Sequence, residues 1–122
     1  MTEARSYSRG DVLLVSAPLI SDPATSKVRP TLVVQNNIGN RFSSNLVLVA
    51  ISSQLPRREY PTNVILKLGS QMAEGSGLHR DSVVQSETVI TVPKTFVRQW
   101  IGRLGVEAMK EVDDSLRVSL NL

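Results

Sequence analysis

Residues 26–42 read SKVRPTLVVQNNIGNRF. Arg29 and Pro30 stand directly before Thr31, Leu32, Val33 and Val34. A short apolar run rich in β-branched residues predicts a strand entering a core, and Pro30 fixes the backbone just after the cation. A permanent positive charge is thereby set at the mouth of a buried strand, which raises the question of what that charge is for.

Further short apolar runs lie on either side, separated by turn-rich segments. Strands are expected over Asp11–Ser16, Thr31–Gln35, Asn45–Ser52, Asn63–Leu68 and Ser82–Gln85, with one more over Phe96–Arg103. This spacing predicts a compact β-barrel or sandwich. The period then changes: Val106, Met109, Val112, Leu116 and Leu120 recur at three and four residues, which puts them on one face of a helix. Glu107 with Glu111, Lys110 with Asp114 and Asp113 with Arg117 occupy the other faces at i,i+4 spacing. The expected architecture is mainly β with helical additions, an α+β arrangement in which a C-terminal amphipathic helix closes one side of the core. The chain of 122 residues, with no repeat or linker, fits one domain over 1–122.

Two connections stand out. The stretch from Ala17 to Val28 contains Pro18 and Pro23 and has no periodicity, so a long loop of the kind that often forms a lid is expected there. Gln54–Pro61, QLPRREYP, carries Arg57, Arg58 and Tyr60. Two cations beside an aromatic ring can track a phosphate backbone while stacking a base; an exposed polar connection is the plainer alternative.

Composition removes many chemistries. There is no cysteine, hence no disulfide, thiolate nucleophile or Cys-ligated zinc, and the single histidine, His79, excludes a multi-histidine metal centre. No serine sits in a G-x-S-x-G elbow, and no glycine-rich phosphate loop is present. No apolar run approaches the ~20 residues that span a bilayer, and the N-terminus lacks the apolar centre of a signal peptide, so a cytoplasmic protein without a membrane partner is expected. The net charge of +3 suits a polyanion partner, though solubility explains it equally well.

One reaction asks little of such a chain: cleavage of RNA by its own 2′-hydroxyl, where the substrate supplies the nucleophile and no metal or other cofactor is needed. The enzyme aligns the phosphate, stabilises the added charge and assists proton movement. A guanidinium donates two parallel hydrogen bonds to a phosphorane and keeps its charge at any physiological pH. Arg29 at the start of one strand and Ser52 at the end of another would meet at one rim and form a small anion clamp. An ion pair at a strand end is the structural alternative for Arg29.

The ordered set Arg9-Gly10-Asp11-Val12, Lys27-Val28-Arg29-Pro30, Gln35 to Ser43 (QNNIGNRFS) and Ala50-Ile51-Ser52 resembles the MazF/PemK family of toxin endoribonucleases, and the resemblance extends to the C-terminal helix. It implies an SH3-like small β-barrel with helical additions, a symmetric homodimer, and metal-independent cleavage of single-stranded mRNA at short sequences. It also implies a cognate antitoxin whose flexible tail occupies the RNA groove. Arg29 matches the family's catalytic arginine, and Ser52 stands where close relatives have a catalytic threonine.

Two features depart from or extend that pattern. SDPATSK precedes the Arg-Pro where relatives commonly have a Gly-Ser-Glu-Gln-like stretch. DSVVQSETV resembles the family's fifth strand and sets Glu87 where an acidic residue recurs, to hold Arg29, contact a base, or serve structure alone. Glu87, His79 and solvent are the available proton acceptors. Arg41 and Arg80 join Arg57, Arg58 and Tyr60 as candidate RNA contacts, and Trp100 is expected to be buried in a dimer interface or in the core. The rival reading is a non-catalytic toxin on the same barrel that inhibits a protein such as gyrase. Those CcdB-type poisons depend on a Trp-Gly-Ile terminus, and this chain ends Val118-Ser119-Leu120-Asn121-Leu122.

Overall fold

The central strand explains the sheet. Leu46 and Leu48 are buried on one face of Asn45–Ser52, and Val49 and Ile51 on the other. A continuous apolar run, rather than alternation, marks a strand covered on both sides. In a computed structural model, which describes residues 6–19 and 22–122, this strand (β3) lies third in a six-stranded sheet ordered β4-β5-β3-β2-β1-β6. The others are β1 (Asp11–Leu19), β2 (Asp22–Val33), β4 (Asn63–Leu66), β5 (Ser82–Pro93) and β6 (Val97–Arg103), and every adjoining pair is antiparallel. A short helix α1 (Asn37–Phe42) links β2 to β3, and α2 (Val106–Leu120) ends the fold.

Two clusters fill the interior. Val12, Leu32, Val49, Val64, Leu66 and Val84 pack with Ala108, Val112 and Leu116 of α2; Leu13, Val15, Val33, Leu46, Leu48 and Val92 pack with Tyr7, Ile90 and Phe96 on the opposite face. α2 therefore closes one side of the core, as expected. Its buried stripe is rotated from the expected one, however: Val106 and Leu120 are 86% and 52% exposed, while Ala108, Val112, Ser115 and Leu116 face inward. Asp113 pairs with Arg9 at 2.7 Å and not with Arg117, which takes Asp114 at 2.9 Å.

The expected barrel is an open sheet, since β4 and β6 are its edges and no ladder joins them among the described residues. The segment between β4 and β5 bridges the gap instead. The Arg103 N–H donates to the Gly75 carbonyl at 2.8 Å. Gly77, at φ +74, lies so close to Ile101 that a Cβ would overlap the Ile101 carbonyl; a glycine is the residue that permits both the positive φ and the approach.

The expected loop from Ala17 to Val28 is a β-hairpin. β1 continues to Leu19 and β2 begins at Asp22, with Ser16 facing Val28 and Ala17 facing Lys27. β6 pairs with β1 only as far as Val15, and β3 with β2 only back to Thr31, so among the described residues the sheet pairing of the hairpin beyond is between its own two strands. Prolines are tolerated on such free edges, which is why Pro18 and Pro23 break the sequence pattern without breaking the strands. The turn at 20–21 lies outside the described residues. β5 is also longer than expected, running to Pro93, while β4 stops at Leu66.

Arg9-Gly10-Asp11 is a structural node. The Arg9 Nε donates to the Val34 carbonyl and its guanidinium meets Asp113 of α2. Gly10, at φ +98, joins Val33 and Leu104 through its backbone. The fully buried Asp11 carboxylate accepts from the Ser8 N–H at 2.8 Å and from the Arg103 Nε at 2.7 Å, which satisfies a charge that burial would otherwise penalise.

Candidate active-site cavity

β2 and β3 diverge after Thr31, which faces Ala50. Arg29 and Ser52 each lie two residues beyond that last pair on their own strands. Arg29 itself is held by β1, opposite Val15. The buried Thr31 hydroxyl donates to the Leu13 carbonyl at 3.0 Å and anchors the strand just behind the arginine. The two residues line one cavity of about 720 Å³. Its apolar wall includes Leu14, Ile51, Ile90 and Ile101, and its polar groups include Ser53, Gln54, His79, Arg80, Gln85 and Gln99.

Ser52 is oriented by its neighbour. Its Oγ accepts the Gln54 N–H at 3.0 Å, which leaves the hydroxyl proton available to an incoming acceptor. Arg29 is exposed and forms no ion pair among the described residues, so the strand-end ion pair is absent there. Two guanidiniums and no carboxylate line the cavity among those residues, an arrangement suited to an anion. No cluster of three or more His, Asp or Glu that could hold a metal is found among the described residues.

The remaining sequence candidates are distributed differently. Arg80 lines the cavity beside His79. Arg57, Arg58 and Tyr60 are exposed on the connection that follows Ser52 and lie outside the lining. Arg41 is on α1 with its guanidinium 5.2 Å from the Phe42 ring centre, also outside the cavity. Glu87 does not reach Arg29: its carboxylate accepts from Asn63 Nδ2 at 2.8 and 2.9 Å. It sits in a bulge of β5, where the residue facing β3 changes from Val89 to Gln85. Trp100 is 37% exposed on the edge strand β6 and belongs to neither core cluster.

Sequence reasoning missed Gln85 and Gln99 as cavity groups. Gln85 closes the apolar run SVVQ, and a polar residue following two valines there is the available signal; nothing local distinguishes Gln99.

Residues 8–120 match the family model described as PemK-like, MazF-like toxin of type II toxin–antitoxin systems. A Bacillus subtilis protein named endoribonuclease EndoA is 37% identical over 114 residues, covering 93% of this chain and 94% of its own length. A solved endoribonuclease from a mycobacterial species superposes with a TM-score of 0.74 at 22% identity over 97% of this chain and 94% of that one. A mycobacterial endoribonuclease in complex with its cognate antitoxin gives 0.73 at 22% identity, over 95% and 96% of the two chains. At that identity the solved structures speak for the fold.

Proposed function

We propose a function from one premise: the chain belongs to the PemK-like, MazF-like family of type II toxin–antitoxin toxins. It is an endoribonuclease toxin that cuts single-stranded mRNA at short sequences, without a metal or other cofactor, by attack of the RNA's own 2′-hydroxyl. It acts in the cytoplasm as a homodimer of single-domain chains and is neutralised by a cognate antitoxin. No helix of the described residues is long and apolar enough to cross a membrane, which is compatible with that location.

The observation that carries this reading is the meeting of Arg29 and Ser52 in one cavity. The scissile phosphate docks against both. Arg29 donates two hydrogen bonds to the equatorial oxygens, and Ser52, held by the Gln54 N–H, donates a third as charge builds on the phosphorane. The Ser52 hydroxyl is oriented before substrate arrives, so it needs little reorganisation in the transition state. Arg80 extends the positive lining along the strand of RNA, and Arg57, Arg58 and Tyr60 continue it outside the cavity. Arg41 and Glu87 lie outside the lining and act on flanking nucleotides.

The dimer reading is supported by apolar side chains left exposed on β6 and α2, among them Trp100, Val106 and Val118. The antitoxin is supported by the mycobacterial relative, which is recorded with its own. The test is incubation of the pure protein with long RNA in EDTA, followed by mapping of both new ends. A 5′-hydroxyl facing a 2′,3′-cyclic or 3′-phosphate is expected; 3′-hydroxyl products would overturn the mechanism.

A further inference from the structure

We propose that His79 is the base that takes the proton from the attacking 2′-hydroxyl. This assignment rests on the function proposed above and deepens it. A guanidinium stabilises a phosphorane but does not accept a proton, so the reaction needs a group of another kind. The polar side chains lining the cavity are two arginines, a threonine, three serines, three glutamines and His79, among the described residues. Arginines only donate, and neutral hydroxyls and amides are very weak bases. Imidazole is the one side chain in that set that exchanges a proton near neutral pH. Donors toward the leaving oxygen are plentiful; for the acceptor there is a single candidate. Glu87, the alternative carboxylate, is held by Asn63 outside the lining.

The loop that carries His79 is fixed on both sides. Before it, Gly75 accepts from the Arg103 N–H, the buried Ser76 hydroxyl accepts from the Leu78 N–H at 3.2 Å, and Gly77 rests on Ile101. After it, the Asp81 carboxylate accepts from the Leu68 N–H at 2.8 Å, and Ser82 Oγ donates to the Arg80 carbonyl at 2.9 Å. A catalytic base works only within hydrogen-bond reach of its proton, so a pinned backbone is what the role requires. Among the described residues, the charged side chains that share the cavity are Arg29 of β2 and Arg80 of the same loop, with Asp81 adjoining, and β1, β3 and β6 bring none to the lining.

In the step, a neutral imidazole nitrogen takes the 2′-hydroxyl proton as the 2′-oxygen forms its bond to phosphorus. The bond from phosphorus to the 5′-oxygen breaks, its electron pair leaves with that oxygen, and water supplies the proton that oxygen needs. The imidazolium then returns its proton to water.

Single-turnover rates of the full-length wild-type, His79→Gln, His79→Ala and Arg29→Ala proteins are to be measured across pH 5–9 on an RNA whose cut site has been mapped with the wild type. The wild-type rate is expected to climb with pH and level off. Both His79 variants are expected to lose at least ~10²-fold, the usual contribution of a positioned base, and to keep climbing where the wild type levels. Added imidazole should restore His79→Ala at least about tenfold, in proportion to its unprotonated form, and should not restore Arg29→Ala. A His79 variant whose profile keeps the wild-type shape, or that imidazole fails to rescue, makes His79 a binding or structural group and removes this assignment alone. A wild-type protein that yields 3′-hydroxyl ends removes it together with the reaction it serves.

Discussion

Arg29 and Ser52 line one cavity, each two residues beyond the pair Thr31–Ala50 at which the β2–β3 ladder ends. The ladder's end is what makes room for a ligand: where the strands no longer bond to each other, their side chains open onto a shared cavity.

Arg29→Ala is expected to lower the cleavage rate by at least ~10²-fold, the cost of removing one preorganised donor to a developing oxyanion. Its thermal unfolding should move little, because the side chain is exposed and carries no ion pair among the described residues. Ser52→Ala should lose less, and Ser52→Thr, which keeps the hydroxyl, should stay active. Normal cutting by Arg29→Ala would make the residue structural.

A 2′-deoxy substitution at the cut position should abolish cleavage, since the nucleophile itself is removed. Undiminished cutting of that substrate would mean that water or a side chain attacks instead.

Arg57 and Arg58 test the reach of the RNA path outside the cavity. Removing either guanidinium from a phosphate should lower the negative salt slope of binding by roughly 0.7 for a single strand. Tyr60→Ala should weaken binding by about 1–3 kcal/mol independently of salt if a base stacks there. Titration of a non-cleavable RNA against the Arg57→Ala, Arg58→Ala double variant checks this; an unchanged slope leaves the loop a solvated connection.

Ser86 and Ser115 share a buried hydrogen bond of 2.6 Å that ties the bulge of β5 to α2, and Ser115 Oγ also donates to the Val112 carbonyl. Ser115→Ala strands the Ser86 hydroxyl and should destabilise the fold by about 1–3 kcal/mol. The double alanine variant should be more stable than the sum of the two single changes implies, measured by urea unfolding.

Legibility follows chemistry and local pattern. β3 is readable to its ends because NLVLVAIS is apolar throughout and bounded by polar residues. That Arg29 and Ser52 reach one cavity is legible because each stands at the end of an expected strand. The stripe of α2 is only half legible: Val106 and Leu120 keep the helical period yet lie off the face that Ala108, Val112, Ser115 and Leu116 bury. α1 escapes a reading by periodicity, although Asn36 accepts the Gly39 N–H as its cap, because six residues are too few to show a period. The cavity's third wall is the least legible part. It depends on how the segment after β4 folds back against β6, an approach between residues about 25 positions apart that no local pattern announces.

Beyond Val15 and Arg29 the β1–β2 hairpin has, among the described residues, sheet pairing only between its own two strands, which leaves its length a free variable for evolution. Lengthening both strands by two residues adds a ladder step and keeps every side chain on its original face; a one-residue slip inverts them all. Variation there can proceed in parity-preserving steps, while the six-stranded body, the Arg9-Gly10-Asp11 node and the cavity residues Arg29 and Ser52 stay untouched. A chain so divided can change this projection without relearning how to fold.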